Sequence, residues 1–334
     1  MKPDVLSVIE CAYRLECDPA TWLRDVAAAA YEQIGAGHGL VGFQYRVSEE
    51  GRLQIGEALE IAMPAGVAPQ MRATLEQMPP DFVRRSFVRC EAATQSQAGD
   101  ATAREHARVA MEGLTAAFGW RDIFMLGGMD PTGHGVYLGA WLPRVTKLAA
   151  RTRATFSRVA VHVVTAHRLR RRLGQDGGLL ADTADAIVTP GGRIDHARGE
   201  AEPRQARAAL REAVLEVERA RGRLRKAEPD QAVDAWKGLV AGRWTLVDRF
   251  ESDGKRYVLA RRNDVPMAGS EGLTERELQA LGYAALGHAN KLIAYEMGIA
   301  ASTVGVLLHR AARKLGAGDR QQLLTLYMAG LVQR

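Results

Sequence analysis

No run of about 18 apolar residues, the length a helix needs to cross a bilayer, occurs in the 334-residue chain. The opening stretch MKPDVLSVIECAYRLECD carries acidic residues where a secretory signal needs an apolar centre. A cytoplasmic protein with no membrane partner is therefore expected. Cysteine is scarce: Cys11, Cys17 and Cys90 are odd in number and lack metal-site spacing, so reduced, packed thiols are expected rather than a disulfide framework. Neither a glycine-rich nucleotide loop nor a phosphorylatable receiver signature is present. His38, His134, His162 and His167 are scattered, without the spaced partners that a catalytic triad or a metal site requires. No enzymatic activity, metal or cofactor is expected, and the helix-borne His162 and His167 are assigned to a domain or dimer surface. Acidic residues are missing altogether from Pro131 to Gln175, where nine basic ones stand, among them Arg168, Arg170, Arg171 and Arg172. This run is either a phosphate-contacting patch or a solvated helix end whose cations suit the macrodipole.

What is present describes a soluble globular protein: 47% apolar and 25% charged residues, in a length that calls for two or three domains. A net charge of +6 is compatible with a polyanionic partner without requiring one. Residues 19–34 place Trp22, Leu23, Val26, Ala30 and Ile34 on one helical face. The runs LVGFQYRVS and RLQIGEALEIAM, separated by EEG, read as two strands. A helix over 104–119 follows. Then comes DIFMLGGMDPTGHGVYLGAWL, a strand, a turn on Asp130-Pro131-Thr132-Gly133 and a second strand. A long helix over about 145–172, with Leu148, Thr152, Phe156, Val159, Val163 and Val164 inward, closes the unit. This order predicts an α+β layered domain over residues 1–173, and it resembles the GAF-type sensory domains, in which a small molecule sits between sheet and loops.

GQDGG (174–178) reads as a linker. Beyond it, Ala186–Val188, the turn Pro190-Gly191-Gly192 and Arg193–Asp195 form one hairpin, and WTLVDRFESDGKRYVLARRN forms another. These resemble the opening and closing strands of a PAS domain, with its middle helices replaced by one longer helix over about 203–227. Residues 174–266 are therefore expected to be a PAS-like connector. On its helix Leu210, Val214, Val217 and Leu224 make a short heptad seam interrupted by Arg221, suited to a dimer contact or to the chain's own sheet.

Residues 267–334 read as four short helices. In LTERE (273–277) Thr274 and Glu277 have the spacing of a capping box, and Gly287 ends the first helix. A second helix covers about 290–297 and turns at Gly298-Ile299; the third spans about 301–314. Asp319 and Gln322 open the fourth. A three-to-four-residue turn between the middle two is helix-turn-helix geometry. With LTERE, Gly287, Asn290-Lys291, Ile293-Ala294, Gly298-Ile299, Thr303-Val304, KLG (314–316) and Arg320 in order and without a gap, the segment resembles the LuxR-type helix-turn-helix family. The resemblance implies a transcription factor whose third helix enters the major groove of double-stranded DNA, usually as a homodimer. Ala289, Leu292, Ala300 and Gly305 depart from the residues that family favours, and each missing cap or mid-helix glycine weakens a helix by about 1 kcal/mol.

On the third helix Val304, Leu308, Ala311 and Leu315 must face the other helices, while Ser302, Val306, His309 and Arg313 point outward. Val306 can pack on a thymine methyl and His309 can reach a base edge. Thr303, the helix N-terminus and Lys291 can hold phosphates, with Arg310 and Arg313 on the same exposed side. From 270 to 334 seven basic and five acidic residues leave +2, a modest footprint that points to two half-sites bound together. The expected function is a dimeric transcriptional regulator controlled by a small-molecule or protein signal at the N-terminal domain, with RNA polymerase a further candidate partner. The alternative is a protein-binding adaptor that grips its partner through Val306 and Leu307.

Overall fold

The computed structural model describes residues 4–34, 38–98, 100–176, 184–250, 254–265 and 272–332. The chain divides into two compact units, Met1–His167 and Arg168–Arg334. Among the described residues no single helix is long and apolar enough to cross a membrane.

The first unit begins with α1 (Val5–Ala12) and α2 (Pro19–Ile34). The hairpin β1 (Leu40–Val47) and β2 (Leu53–Ile61) follows, then α3 (Val67–Glu76), α4 (Pro80–Ser86), β3 (Glu91–Thr94) and α5 (Ala101–Phe118). The second hairpin, β4 (Asp122–Met129) and β5 (His134–Leu142), precedes α6 (Ala150–Asp176), which belongs to the first unit up to His167 and to the second from Arg168. All pairings are antiparallel, in the order β2-β1-β5-β4-β3. One face of the sheet meets α2 and α6: Gly42 lies against Ala27, and Phe124 packs edge-on against Phe156 at 5.3 Å. The other face carries the rings of Phe43, Tyr45 and Tyr137.

The long helix starts at Ala150, five residues later than its periodicity suggests, because the preceding amides are already engaged. Thr146 N–H donates to the Asp122 carboxylate (2.9 Å) and Leu148 N–H to Gln97 (2.8 Å). Phe156, Val159, Val163 and Val164 are buried as expected, while Leu148 and Thr152 are half-buried. His162 and His167 are not at a surface. His162 is fully buried, with Nδ1 2.9 Å from the Tyr13 hydroxyl, and His167 stacks on Trp22 with Nε2 3.3 Å from Gln44 Oε1.

The second unit holds a four-stranded antiparallel sheet, β7-β6-β9-β8, made of β6 (Ala186–Val188), β7 (Ile194–Ala197), β8 (Trp244–Phe250) and β9 (Arg256–Arg262). Between the hairpins run α7 (Arg204–Arg219), a wide π turn over Ala220–Leu224, α8 (Arg225–Ala227) and α9 (Pro229–Ala235). Leu210, Val214 and Val217 are buried within the chain, so these three serve intramolecular packing rather than a dimer seam. Arg221 turns inward to pair with Asp248 (2.5 Å) and lie over the Trp236 ring (4.6 Å). Gly177-Gly178 of the expected linker and Ser252-Asp253 within the second expected hairpin lie outside the described residues, and 174–176 are helical.

Four helices complete the unit: α10 (Glu275–Ala285), α11 (Asn290–Met297), α12 (Ala301–Leu315) and α13 (Arg320–Val332). They enclose Leu278, Leu281, Ala284, Ile293, Met297, Val304, Leu308, Ala311, Leu323 and Tyr327.

Candidate nucleic-acid interface

The chain turns through 104° between α11 and α12, within the range of helix-turn-helix pairs. The corner is built from backbone. At the end of α11, Gly298 N–H donates to Tyr295 O (3.3 Å) and Ile299 N–H to Ala294 O (3.0 Å), the two bonds of a Schellman turn around Gly298 at φ +61°. The same pair of bonds closes α10 at Gly287 and α12 at Gly316. The expected capping box is formed: Glu277 N–H donates to Thr274 Oγ1 (3.3 Å), and Thr274 N–H donates to the Glu277 carboxylate (2.8 Å). Ala289 and Ala300, at the caps of α11 and α12, offer no side-chain acceptor.

Lys314 does not join the outward stripe. Its ammonium lies 2.7 Å from Glu277 Oε2, tying the end of α12 to the start of α10. Burial opposes the charge on Glu277, but Lys314 and the Thr274 amide outweigh it and lower its pKa. A carboxylate held below its unfolded pKa stabilises the fold above that unfolded value, and the contribution disappears as pH falls through the folded one. The unfolding midpoint of the wild-type chain should therefore decline on acidification below about pH 4.5. Glu277→Gln should cost on the order of 1 kcal/mol at pH 7 and flatten that decline. Urea titrations of both chains across pH 3.5–7 measure this, and parallel profiles would refute it.

The opposite side of α12 faces solvent. Ser302, Thr303, Val306, His309, Arg310 and Arg313 are all exposed, as is Lys291 in the first turn of α11. Val304, Leu308 and Ala311 are buried, and Leu315 is half-buried. Val306 is 47% exposed, whereas Leu307 packs partly against the domain's core. Arg320 is occupied in structure, donating to Asn290 Oδ1 (2.6 Å) and His288 O (3.2 Å).

Several residues that sequence patterning passes over fix this group of helices to the rest of the second unit. The Tyr295 hydroxyl lies within hydrogen-bond distance of both the Val233 (2.7 Å) and Trp236 (2.5 Å) carbonyls. Gln279 donates to Gly242 O, and Arg276 to Ala241 O. Arg168, one of the run assigned to a phosphate patch or a solvated helix end, is neither. It is buried and donates to Asn263 O and Oδ1 (both 3.2 Å) and to the Tyr283 hydroxyl (3.4 Å). Arg262 binds Asp264 through two nitrogens at 2.8 Å and reaches Glu275 at 3.1 Å. Burial works against the Asp264 charge, yet Arg262 holds its pKa down at about 2. His288 Nδ1 and Glu296 form a buried pair at 2.9 Å, a signal legible only as two polar residues on apolar faces.

Four short helices, a right-angled middle pair and a polar, cation-bearing ridge on the second of them define a helix-turn-helix DNA reader. Residues 271–327 match the family model of bacterial regulatory proteins of the luxR family, so this segment is a LuxR-family helix-turn-helix domain. The family supports a transcriptional regulator. Among solved structures, the crystal structure of Escherichia coli SdiA aligns over 96% of this chain and 94% of its own, at 10% identity and a TM-score of 0.32, a likeness too low to carry an argument. No curated protein matches the chain significantly.

The first unit contains a separate small cavity of about 40 Å³, partly open to solvent, between the sheet and α3, α4 and α5. Met71, Leu75, Phe82, Phe87, Ile123 and Met125 make its apolar wall; Ser86, Gln95, Arg104 and Tyr137 contribute polar groups. The Tyr137 ring stacks on Phe43 at 4.7 Å and lies against Gly139, where a side chain would collide with it. Burial raises the phenol's pKa above the usual tyrosine range, which keeps it a neutral donor.

Proposed function

We propose that the chain is a sequence-specific transcriptional regulator that binds double-stranded DNA as a homodimer, with α12 in the major groove. The observation that carries this reading is the ridge of α12, exposed to solvent on the side opposite the buried Val304, Leu308 and Ala311. In it His309 contacts a base edge, and Ser302, Thr303, Arg310, Arg313 and Lys291 hold the sugar-phosphate backbone. Exposed Leu326 and Met328 on α13 offer apolar surface to a second copy. Leu307 is engaged in the core, so a gripping surface for an adaptor is reduced to Val306 alone. Residues 1–173 act as the sensor, 174–266 as the connector and 267–334 as the reader. Because Tyr295 and Gln279 bond reader to connector, a signal would change the spacing of two such joined bodies, a population shift between dimer states. RNA polymerase is the partner through which the bound dimer would act.

Selection of duplexes from a random pool by the full-length protein tests the reading. A site with two half-sites should be enriched. No enrichment at low salt by a folded dimer would favour the adaptor.

The signal is assigned to the cavity beside Tyr137. A mostly apolar small molecule with a hydrogen-bond acceptor would fill its wall and meet the phenol, whose hydroxyl has no hydrogen-bond partner among the described residues. A thermal-shift screen should find such a molecule, and Tyr137→Phe should weaken its binding by about three- to tenfold, the worth of one hydrogen bond. Equal binding by the variant would remove Tyr137 from the site.

A further inference from the structure

Two neighbouring positions at the centre of α12 are poor choices for a free helix. Gly305 is a mid-helix glycine, which weakens a helix relative to alanine, and nothing in the fold demands it. Its φ is not positive, and a Cβ added there would meet no heavy atom within 4 Å. The chain could carry a side chain at this position without disturbing its own packing. Val306, beside it, leaves 47% of its surface in water and is the one large exposed aliphatic on α12 among the described residues. Its exposed companions on the helix are Ser302, Thr303, His309, Arg310 and Arg313. An absent side chain and an uncovered isopropyl group are costs to the free protein, and both lie at the middle of the face assigned to DNA. The natural account is a surface that approaches closely at 305 and presents an apolar group to 306.

We infer that Gly305 and Val306 together read thymine: the missing side chain lets the α12 backbone sit close to the base edges, and the Val306 isopropyl group packs against a thymine 5-methyl group in the major groove. The thymine methyl is the one apolar group on a base edge there, so an aliphatic side chain among polar neighbours selects for it. This inference rests on the DNA-reading function proposed above.

The experiment uses full-length protein and a duplex obtained by selection, with each thymine replaced in turn by deoxyuridine, which lacks only the methyl group. At one thymine in each half-site the replacement should weaken wild-type binding about fourfold, the worth of one buried methyl. For Val306→Ala the same replacement should have almost no further effect. Gly305→Ala should raise the thermal midpoint by about 2–4 °C while weakening binding to the selected duplex severalfold. If no thymine is sensitive, if sensitivity persists in Val306→Ala, or if Gly305→Ala binds as well as wild type, the inference is overturned and DNA reading stands. If no duplex is enriched at all, both fall.

Discussion

Gly298→Ala is expected to unfold the reader. At φ +61° an alanine is strained, and its Cβ would overlap the Leu239 carbonyl oxygen, a backbone atom that no rotamer change can remove. To relieve the overlap, the α11–α12 corner must part from the 233–241 segment. That breaks the two hydrogen bonds that the buried Tyr295 hydroxyl makes to Val233 and Trp236. The strain and the broken bonds together should cost on the order of 3–5 kcal/mol. Chemical denaturation should show an early transition for the second unit alone, and DNA binding should disappear with it. A variant within about 1 kcal/mol of wild type would mean that the corner does not rest on Leu239.

The second large effect concerns binding rather than folding. Lys291, Arg310 and Arg313 are exposed, and removing all three should leave the fold unchanged. Each phosphate that is no longer neutralised by a cation should lower the slope of log affinity against log salt by about 0.9, so the triple alanine variant should reduce it by close to 3. Affinity at low salt should fall about a hundredfold or more, with no change in which sequences are preferred. His309→Ala should do the reverse, altering preference at one position while leaving the salt slope almost unchanged. An unchanged slope in the triple variant would place the duplex on another surface.

Much of the reader was legible from sequence because its signals are local. The capping box needs Thr274 and Glu277 three residues apart; the corners need glycine where the backbone turns left-handed; and the burial of α12 follows a spacing of four and three. Less of the first unit was legible. Helices α1, α3 and α4 and strand β3 are four to ten residues long, too short for periodicity to stand out. Their positions come from what they cover, as with Met71, Leu75 and Phe82 around the Tyr137 cavity.

The sequence alone determined the reader's helices, its outward ridge and the two strand pairs that open and close each sheet, since each depends on residues a few positions apart. Tertiary structure decided the rest. It buried Arg168 against Asn263, 95 residues away; it gave Lys314 to Glu277, 37 residues away; and it turned His162 to Tyr13, 149 residues away. The heptad seam of α7 was likewise spent on the chain's own core. A long-range partner leaves no mark in local spacing, and a cation or histidine in a string of letters looks the same whether solvent or a buried acceptor surrounds it.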